Sequence, residues 1–340
     1  MHLSKQHHAR SDTALQRCKS FTFDVNQQAA SLGQWEQHYD QHSGGVFNGY
    51  LDELKFAGFH FFEEFTNQAL QQQCCVKADN LWLGFSLQSQ RPKINNQGVL
   101  AGQLMMRPSK VEFELITPAD FHIYGLVLNK ESMDNEFFGT DTQHWVNQSA
   151  NSQVCAPNNY VSYELAKLTS LLLSNQTTGD HQYDFLNNKL HRLTTLIPLI
   201  TSKIADLLAQ TACGFQEKSV SYQTKRRVIT KINNYIKQHN DSPLTVTRLC
   251  QICNVSRRTL QYCFQQGVGV SPMQYIRDCR LNDIRRVLLK ENNHIGIACL
   301  ALNFGFFHLG TFNHQYKALF GETPTQTMQR AGHYQQVILG

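Results

Sequence analysis

The chain has 340 residues, 41% hydrophobic and 17% charged, with a net charge of +5. That length holds two or three domains, each able to bury a core of its own. No apolar run reaches the roughly 18 residues of a membrane span, and "MHLSKQHHAR" lacks the apolar stretch of an export signal, so no membrane contact and a cytoplasmic location are expected.

Ten cysteines are too sparse for a disulfide scaffold and are expected to be free thiols. Cys250 and Cys253 form a C-x-x-C with no second ligand pair following it. At i and i+3 they share a helix face and read as buried thiols, so no metal is assigned. The charge is uneven. Residues 222–331 carry 15 Lys and Arg against 5 Asp and Glu, and the remainder carries 16 against 21. A basic C-terminal third on an acidic body points to a polyanionic partner.

In chain order, residues 1–19 are polar and His-rich and read as a flexible arm. From about Phe21 to Leu128 short aromatic or β-branched runs predict strands: "VFNGYLDELKF", "FHFFEEF", "ALQQQCCV", "LWLGFSL", "VEFELI" and "FHIYGLVL". Turn-like "KADN", "RPKINNQG" and "TPAD" separate them, a spacing that suits a sandwich or small barrel. After Asn129 the period becomes helical. "YVSYELAKLTSLLLS" places Leu165, Leu168, Leu171 and Leu172 on one stripe. "YDFLNNKLHRLTTLIPLITSKIADLLAQ" continues with Leu186, Leu190, Leu193, Ile197, Ile204 and Leu208, and Pro198 marks a kink site. These stripes have two outlets, the sheet or a second copy of the chain. A linker is expected over 216–224, a helical domain over 225–331 and a tail over 332–340.

The helical domain writes one phrase twice. "GVSPMQYI" begins at Gly269 and "GETPTQTM" at Gly321, 52 residues later. Ser271 and Thr323 are N-cap residues, Pro272 and Pro324 stand at the first helical position, and Gln274 and Gln326 complete a capping box. The register extends upstream, Leu260 answering Phe312 and Phe264 answering Tyr316. Each unit reads as a helix, a tight turn at Asn254 or Gly305, a second helix and then the capped helix. Asn and Gly are the residue types that best tolerate left-handed backbone angles. Helix, tight turn, helix is the helix-turn-helix plan.

From about Arg226 to Ala331 the chain resembles the DNA-binding domain of AraC/XylS-type transcriptional regulators. Leu249, Ser256, Leu260, Phe264, Gly269, Ser271, Pro272, Tyr275, Arg280, Leu281, Leu300, Ala301, Gly305, Phe306, Phe312, Lys317, Gly321, Thr323 and Pro324 carry the resemblance. It implies two helix-turn-helix units joined by one long helix, Pro272 to about Lys290, on a bipartite double-stranded DNA site, with RNA polymerase as a further partner. In the first unit Leu260 and Phe264 are core, which leaves Arg257, Arg258, Gln261 and Tyr262 for DNA. Arg258 and Gln261, i and i+3, can face one groove, where Arg suits guanine and Gln adenine. In the second unit Phe312 and Tyr316 are core, and Thr311, Asn313, His314 and Lys317 remain. Gly310 offers no side chain to a base, so this unit is expected to contribute mainly phosphate contacts. On the connecting helix Ile276, Cys279, Ile284, Val287 and Leu288 form the buried stripe. Arg277, Arg280, Arg285 and Arg286 read as surface charge, internal partners or phosphate contacts.

The strand-rich half resembles the sensor half of ethanolamine-utilisation operon regulators over "SLGQWEQHYDQHSGGVFNGYLDELKFAGFHFFEEFTNQALQQQCCVKADNLWLGFSL" and "RPSKVEFELITPADFHIYGLVLN". The whole then reads as α+β. A β-rich cupin-like effector-sensing and dimerisation domain over 20–215 precedes an all-α domain with two helix-turn-helix units. The resemblance implies activation of an amine-catabolism operon by a small-molecule effector, ethanolamine with a cobalamin-type co-effector, and a homodimer. Neither is required to complete the fold. A different effector, or ligand-independent repression, is the rival within the family. A cupin metalloenzyme would need two or three His and a carboxylate converging on one metal. His60 with Glu63 and Glu64, and a lone His122, do not supply them, so no catalytic residues are assigned and no enzyme is expected.

Overall fold

The computed structural model describes residues 16–56, 58–77, 79–129, 154–155, 159–174, 198–207, 220–239, 244–290 and 295–338. The chain begins with β1 (Gln16–Thr22), α1 (Val25–Ser31), β2 (Trp35–Gln41), β3 (Gly49–Phe56), β4 (Phe59–Thr66), β5 (Leu70–Val76) and β6 (Asn80–Phe85). It continues with β7 (Lys93–Ile94), β8 (Gln97–Gly98), β9 (Leu104–Pro108), β10 (Phe113–Thr117), β11 (Phe121–Asn129) and β12 (Val154–Cys155). These strands form two antiparallel sheets, ordered β1-β3-β4-β11-β6-β9-β12 and β2-β5-β10-β7-β8.

Strand alternation divides the larger sheet between two cores. Phe62, Trp82 and Val127 face the smaller sheet, where Trp35, Tyr39, Leu70 and Phe113 meet them. Their chain neighbours Phe61, Leu81, Leu83, Leu126 and Leu128 face the other way, onto α2 (Asn159–Leu173) and a helical stretch at 198–207. Leu165, Leu172 and Ile204 land there, so the helical stripe is buried on the sheet. Leu171 is an exception at 59% exposure; Leu186, Leu190, Leu193, Ile197 and Leu208 lie outside the described residues.

Each of the six expected runs overlaps a strand. The expected arm is too long, because residues 16–19 belong to β1 and pair with β3, Gln16 opposite Lys55 through Lys19 opposite Asp52. Arg17 and Lys19 reach Asp52 at 3.2 and 3.8 Å, so a polar, exposed edge strand is held by charge across the ladder. The expected linker is too long as well. Helix α3 (Val220–Gln238) begins inside it and buries Val228, Ile229, Ile232 and Ile236.

Six further helices follow: α4 (Val246–Cys253), α5 (Arg257–Gly267), α6 (Pro272–Leu288), α7 (Ile297–Asn303), α8 (Leu309–Phe320) and α9 (Pro324–Ile338). The last runs through most of the expected tail, continuing past Gly332 to Ile338. Helix α6 is shared between two small cores. Its Tyr275, Ile276 and Cys279 pack with Leu249, Cys253, Leu260 and Phe264. Its Leu281, Ile284 and Leu288 pack with Leu300, Ala301, Phe312, Tyr316 and Phe320. One stiff element therefore carries a helix pair at each end.

Candidate nucleic-acid interface

The first pair turns at Asn254, whose φ of 53° and ψ of 54° make it a left-handed cap on α4. Ser256 then caps α5, its Oγ accepting the Thr259 N–H at 3.1 Å. That cap fixes which face of α5 is free. Leu260, Cys263 and Phe264 are buried at 1% exposure or less, and Arg257, Arg258, Gln261 and Tyr262 are all exposed. The four candidate contacts thus share the early outward turns of one helix. Cys253 is buried in the neighbouring core with Cys250 packed beside it, on one helix face.

The second pair turns at Gly305, φ 77°. Helix α8 starts at His308 without a side-chain cap bond and ends at Gly321, whose φ of 74° and N–H bond to the Lys317 carbonyl close the helix. Phe312 and Tyr316 are fully buried, and Thr311, Asn313, His314 and Lys317 are exposed. A Cβ added at Gly310 would meet nothing within 4 Å, so no packing requires glycine there. Phe307 at 59% and Leu309 at 40% exposure put an apolar surface beside the α8 N-terminus that the sequence reading did not single out.

Both copies of the repeated phrase form the N-cap, and the second alone shows the full capping box. Ser271 Oγ accepts the Gln274 N–H at 3.3 Å with Pro272 at the first helical position. At Thr323 both arms of the box are made: the Gln326 N–H reaches Thr323 Oγ1 at 3.3 Å, and Gln326 Oε1 accepts the Thr323 N–H at 2.8 Å.

The arginines of α6 divide. Arg285 is buried, its guanidinium 2.7 Å from Asp24 and 2.8 Å from Glu322, and it lies over the Phe320 ring at 4.6 Å. Arg286 pairs with Asp40 at 2.7 Å and with Asp283. Both are internal partners. Burial alone would lower the two guanidinium pKa values; the carboxylates Asp24 and Asp40 outweigh it and raise them. Arg280 is buried at 7% exposure, and Arg277 is partly exposed beside Asp278.

The residues missed from sequence are those of the β-rich region that hold this framework. Asn282 on α6 pairs with the Gln41 backbone, accepting its N–H at 3.0 Å and donating to its carbonyl at 2.9 Å. Lys93 donates to the Gln266 and Gly267 carbonyls at 2.8 and 2.9 Å, a cation at the C-terminus of α5. Gln41 Nε2 and the Gly45 N–H donate to the Leu319 carbonyl at 2.6 and 3.1 Å, near the end of α8. A Cβ at Gly44 would sit 2.7 Å from the Ala318 carbonyl oxygen, so this close approach requires glycine. Both outward-facing helices are gripped at their C-terminal ends, and their early turns are left open.

Among the described residues no helix is long and apolar enough to cross a membrane. A family model described as a helix-turn-helix domain matches residues 249–330. XylDLEGF operon transcriptional activator 3 of Pseudomonas putida is 31% identical over 135 residues, 39% of this chain and 39% of that protein. XylDLEGF operon transcriptional activator 2 of the same organism is 30% identical over 133 residues, 38% of this chain and 80% of that protein. Among solved structures, a probable AraC family transcriptional regulator from Rhodopseudomonas palustris CGA009 is 31% identical, with a TM-score of 0.29. That match covers 31% of this chain and 96% of the other. The alignment with activator 3 spans less than half of that protein's length.

Proposed function

The chain belongs to the AraC/XylS family of helix-turn-helix transcriptional regulators, and on that premise we propose that it activates transcription by reading a bipartite DNA site through two helix-turn-helix units, α4–α5 and α7–α8. The observation that carries this reading is the pair of outward helices at opposite ends of one 17-residue helix. At 1.5 Å per residue α6 spans about 25 Å, and heads projecting beyond its ends reach toward major-groove faces about 34 Å apart. Arg257, Arg258, Gln261 and Tyr262 enter one groove. Thr311, Asn313, His314 and Lys317 enter the next, mostly on phosphates. The printed role of the XylDLEGF relatives, operon transcriptional activators, supports activation; in this proposal RNA polymerase is the protein partner.

The β-rich region is the cupin-like sensor of a small-molecule effector in this proposal, with ethanolamine and a cobalamin-type co-effector the pair to test first. Two features support it. The indole N–H groups of Trp35 and Trp82 are buried in its inter-sheet core without hydrogen-bond partners, donors a ligand would satisfy. The buried carboxyl of Glu64 accepts from Gln28 at 2.8 Å and Tyr39 at 3.3 Å, an acid of the kind that holds an amine. Exposed Tyr163, Leu171 and Leu199 on the helices outside the sheet support a homodimer through that face. The protein acts in the cytoplasm, and no catalytic step is assigned to it.

The experiment is selection of binding sequences from a random duplex pool by the full chain, followed by binding across ionic strength. Two half-sites one helical turn apart, and affinity falling steeply with salt, are the expected results. Enrichment of no sequence would sink the reading. For the effector, ethanolamine and cobalamin raise the unfolding temperature only if they bind the folded state; no rise with either removes that pair and leaves DNA binding standing.

A further inference from the structure

Where β2 meets α6, one histidine has more acceptors than it can serve. His42, 6% exposed, lies just past β2 and stacks flat on Tyr275 of α6, ring centroids 5.3 Å apart and 10° from parallel. One ring nitrogen, Nε2, is 3.1 Å from Gln71 Oε1. The amide orientation of Gln71 is set by its far side, where its Nε2 donates to Glu114. The other nitrogen, Nδ1, faces the carboxylate of Asp278 at 3.7 Å, and neither Nδ1 nor Asp278 Oδ2 has a hydrogen-bond partner.

A neutral imidazole carries one N–H. If that hydrogen is on Nε2, it serves Gln71 and leaves the Nδ1 lone pair against a carboxylate. If it is on Nδ1, it serves Asp278 and leaves the Nε2 lone pair against the Gln71 oxygen. Either tautomer sets acceptor against acceptor between side chains 6% exposed or less, where an unmatched polar pair is costly. A positive charge on the ring resolves the conflict. It can be a second proton or a metal ion bound to one nitrogen.

The neighbours offer a metal ion further ligands. Asp40 of β2 and Cys279 of α6 each bring a ligand atom to His42, and the three atoms lie within 4.8 Å of one another. Asp40, Gln71 and Cys279 also line a cavity of about 50 Å³ between β2 and α6, which exceeds the roughly 15 Å³ that a single water needs. Nitrogen, carboxylate oxygen and thiol sulfur together are the donor set of zinc, with bonds of about 2.0–2.3 Å. The outer groups fit as well. Asp278 can take the Nδ1–H of a histidine bound through Nε2, and Arg286 already holds one oxygen of Asp40 at 2.7 Å. Such second partners orient metal ligands.

We propose that Asp40, His42 and Cys279 form a binding site for a zinc-like divalent ion that ties the β-rich region to the connecting helix α6. On binding, the Cys279 thiol loses its proton to solvent as the metal–sulfur bond forms. The dication then meets one carboxylate and one thiolate, so the buried centre carries no net charge. Reading the sequence could not find this site. Asp40 and His42 stand only two residues apart, but Cys279 lies 237 residues after His42 and in no ligand-spaced motif.

The test uses the full chain, kept reduced, stripped with chelator and titrated with Co²⁺ alone. The expected result is one ion per chain, with a near-ultraviolet thiolate-to-cobalt band and visible bands of a tetrahedral site, all removed by added Zn²⁺. Cys279→Ser abolishes the thiolate band, and Cys250→Ser keeps it. Asp278→Asn keeps the band and weakens binding on the order of 10- to 100-fold. If circular dichroism shows that Cys279→Ser does not fold, His42→Gln serves, with loss of the visible bands expected. No cobalt spectrum in the parent chain would mean that the ring carries a proton instead and would overturn the proposal. A band that survives Cys279→Ser, or that disappears with Cys250→Ser, would overturn it equally.

Discussion

Glu64 sits in the inter-sheet core at 4% exposure, and burial pushes its carboxyl from the ordinary 4.5 up to about 7, against the partial opposition of hydrogen bonds from Gln28 and Tyr39. The sign of the consequence follows from linkage. Below pH 4.5 the group is protonated in both the folded and the unfolded chain. Between 4.5 and 7 the unfolded chain gives up its proton and the folded chain keeps it, so stability falls as pH rises and levels off above 7. At about 1.4 kcal/mol per pH unit over that interval, the loss comes to about 3 kcal/mol. Glu64→Gln keeps the shape and an acceptor for Gln28 and cannot ionise. Urea unfolding followed by tryptophan fluorescence reports on this core, because Trp35 and Trp82 pack within it. The variant should gain about 3 kcal/mol relative to the parent on going from pH 4 to pH 8. An equal pH dependence in both proteins would refute the argument, since Glu64 would then ionise as freely in the folded chain as in the unfolded one.

Other consequences can be checked by similar means. Arg258→Ala should cost about 1–3 kcal/mol of DNA binding and relax preference at one base position, and Lys317→Ala should weaken all sequences alike and reduce the salt slope by about 1; competition binding on variant duplexes separates the two patterns. Gly310→Ala has open space around its Cβ and should stabilise the helical domain by up to about 1 kcal/mol in thermal unfolding. Asp24→Ala removes the α1 cap and one carboxylate of the buried Arg285 cluster; with Glu322 still 2.8 Å away, the expected loss is about 3 kcal/mol, read by denaturant unfolding. Asp24→Ala should leave DNA affinity unchanged at temperatures where it is folded.

The helical part was legible because its signals are local. Ser256, Ser271 and Thr323 cap within three residues of themselves, and Asn254, Gly305 and Gly321 mark their own turns. The aromatic strands were legible for the same reason, since Phe61 and Phe62 bury opposite faces of one strand. Strand β2 was not, because "WEQHYDQ" reads as polar. Gln41 is buried where its amide donates to Ser43, Gly45 and the end of α8, 278 residues away, and Asp40 is partly covered where it meets Arg286. Helix α6 hid its role for the mirror-image reason. Its Asp278, Arg280, Asn282 and Arg285 look like a solvated face and are buried, with Asn282 bonded to the Gln41 backbone and Arg285 paired to Asp24. Periodicity reports which face is covered only when the covering partner is apolar.

The central claim is that two helices on one rigid connector read adjacent grooves of one duplex. Hydroxyl-radical footprinting of the full chain on a selected site tests it most directly. The account predicts two protected segments on one face of the DNA, centred about one helical repeat apart, with protection at the first lost in Arg257→Ala/Arg258→Ala and at the second in His314→Ala/Lys317→Ala. A single protected segment, lost entirely with either pair of substitutions, would contradict it.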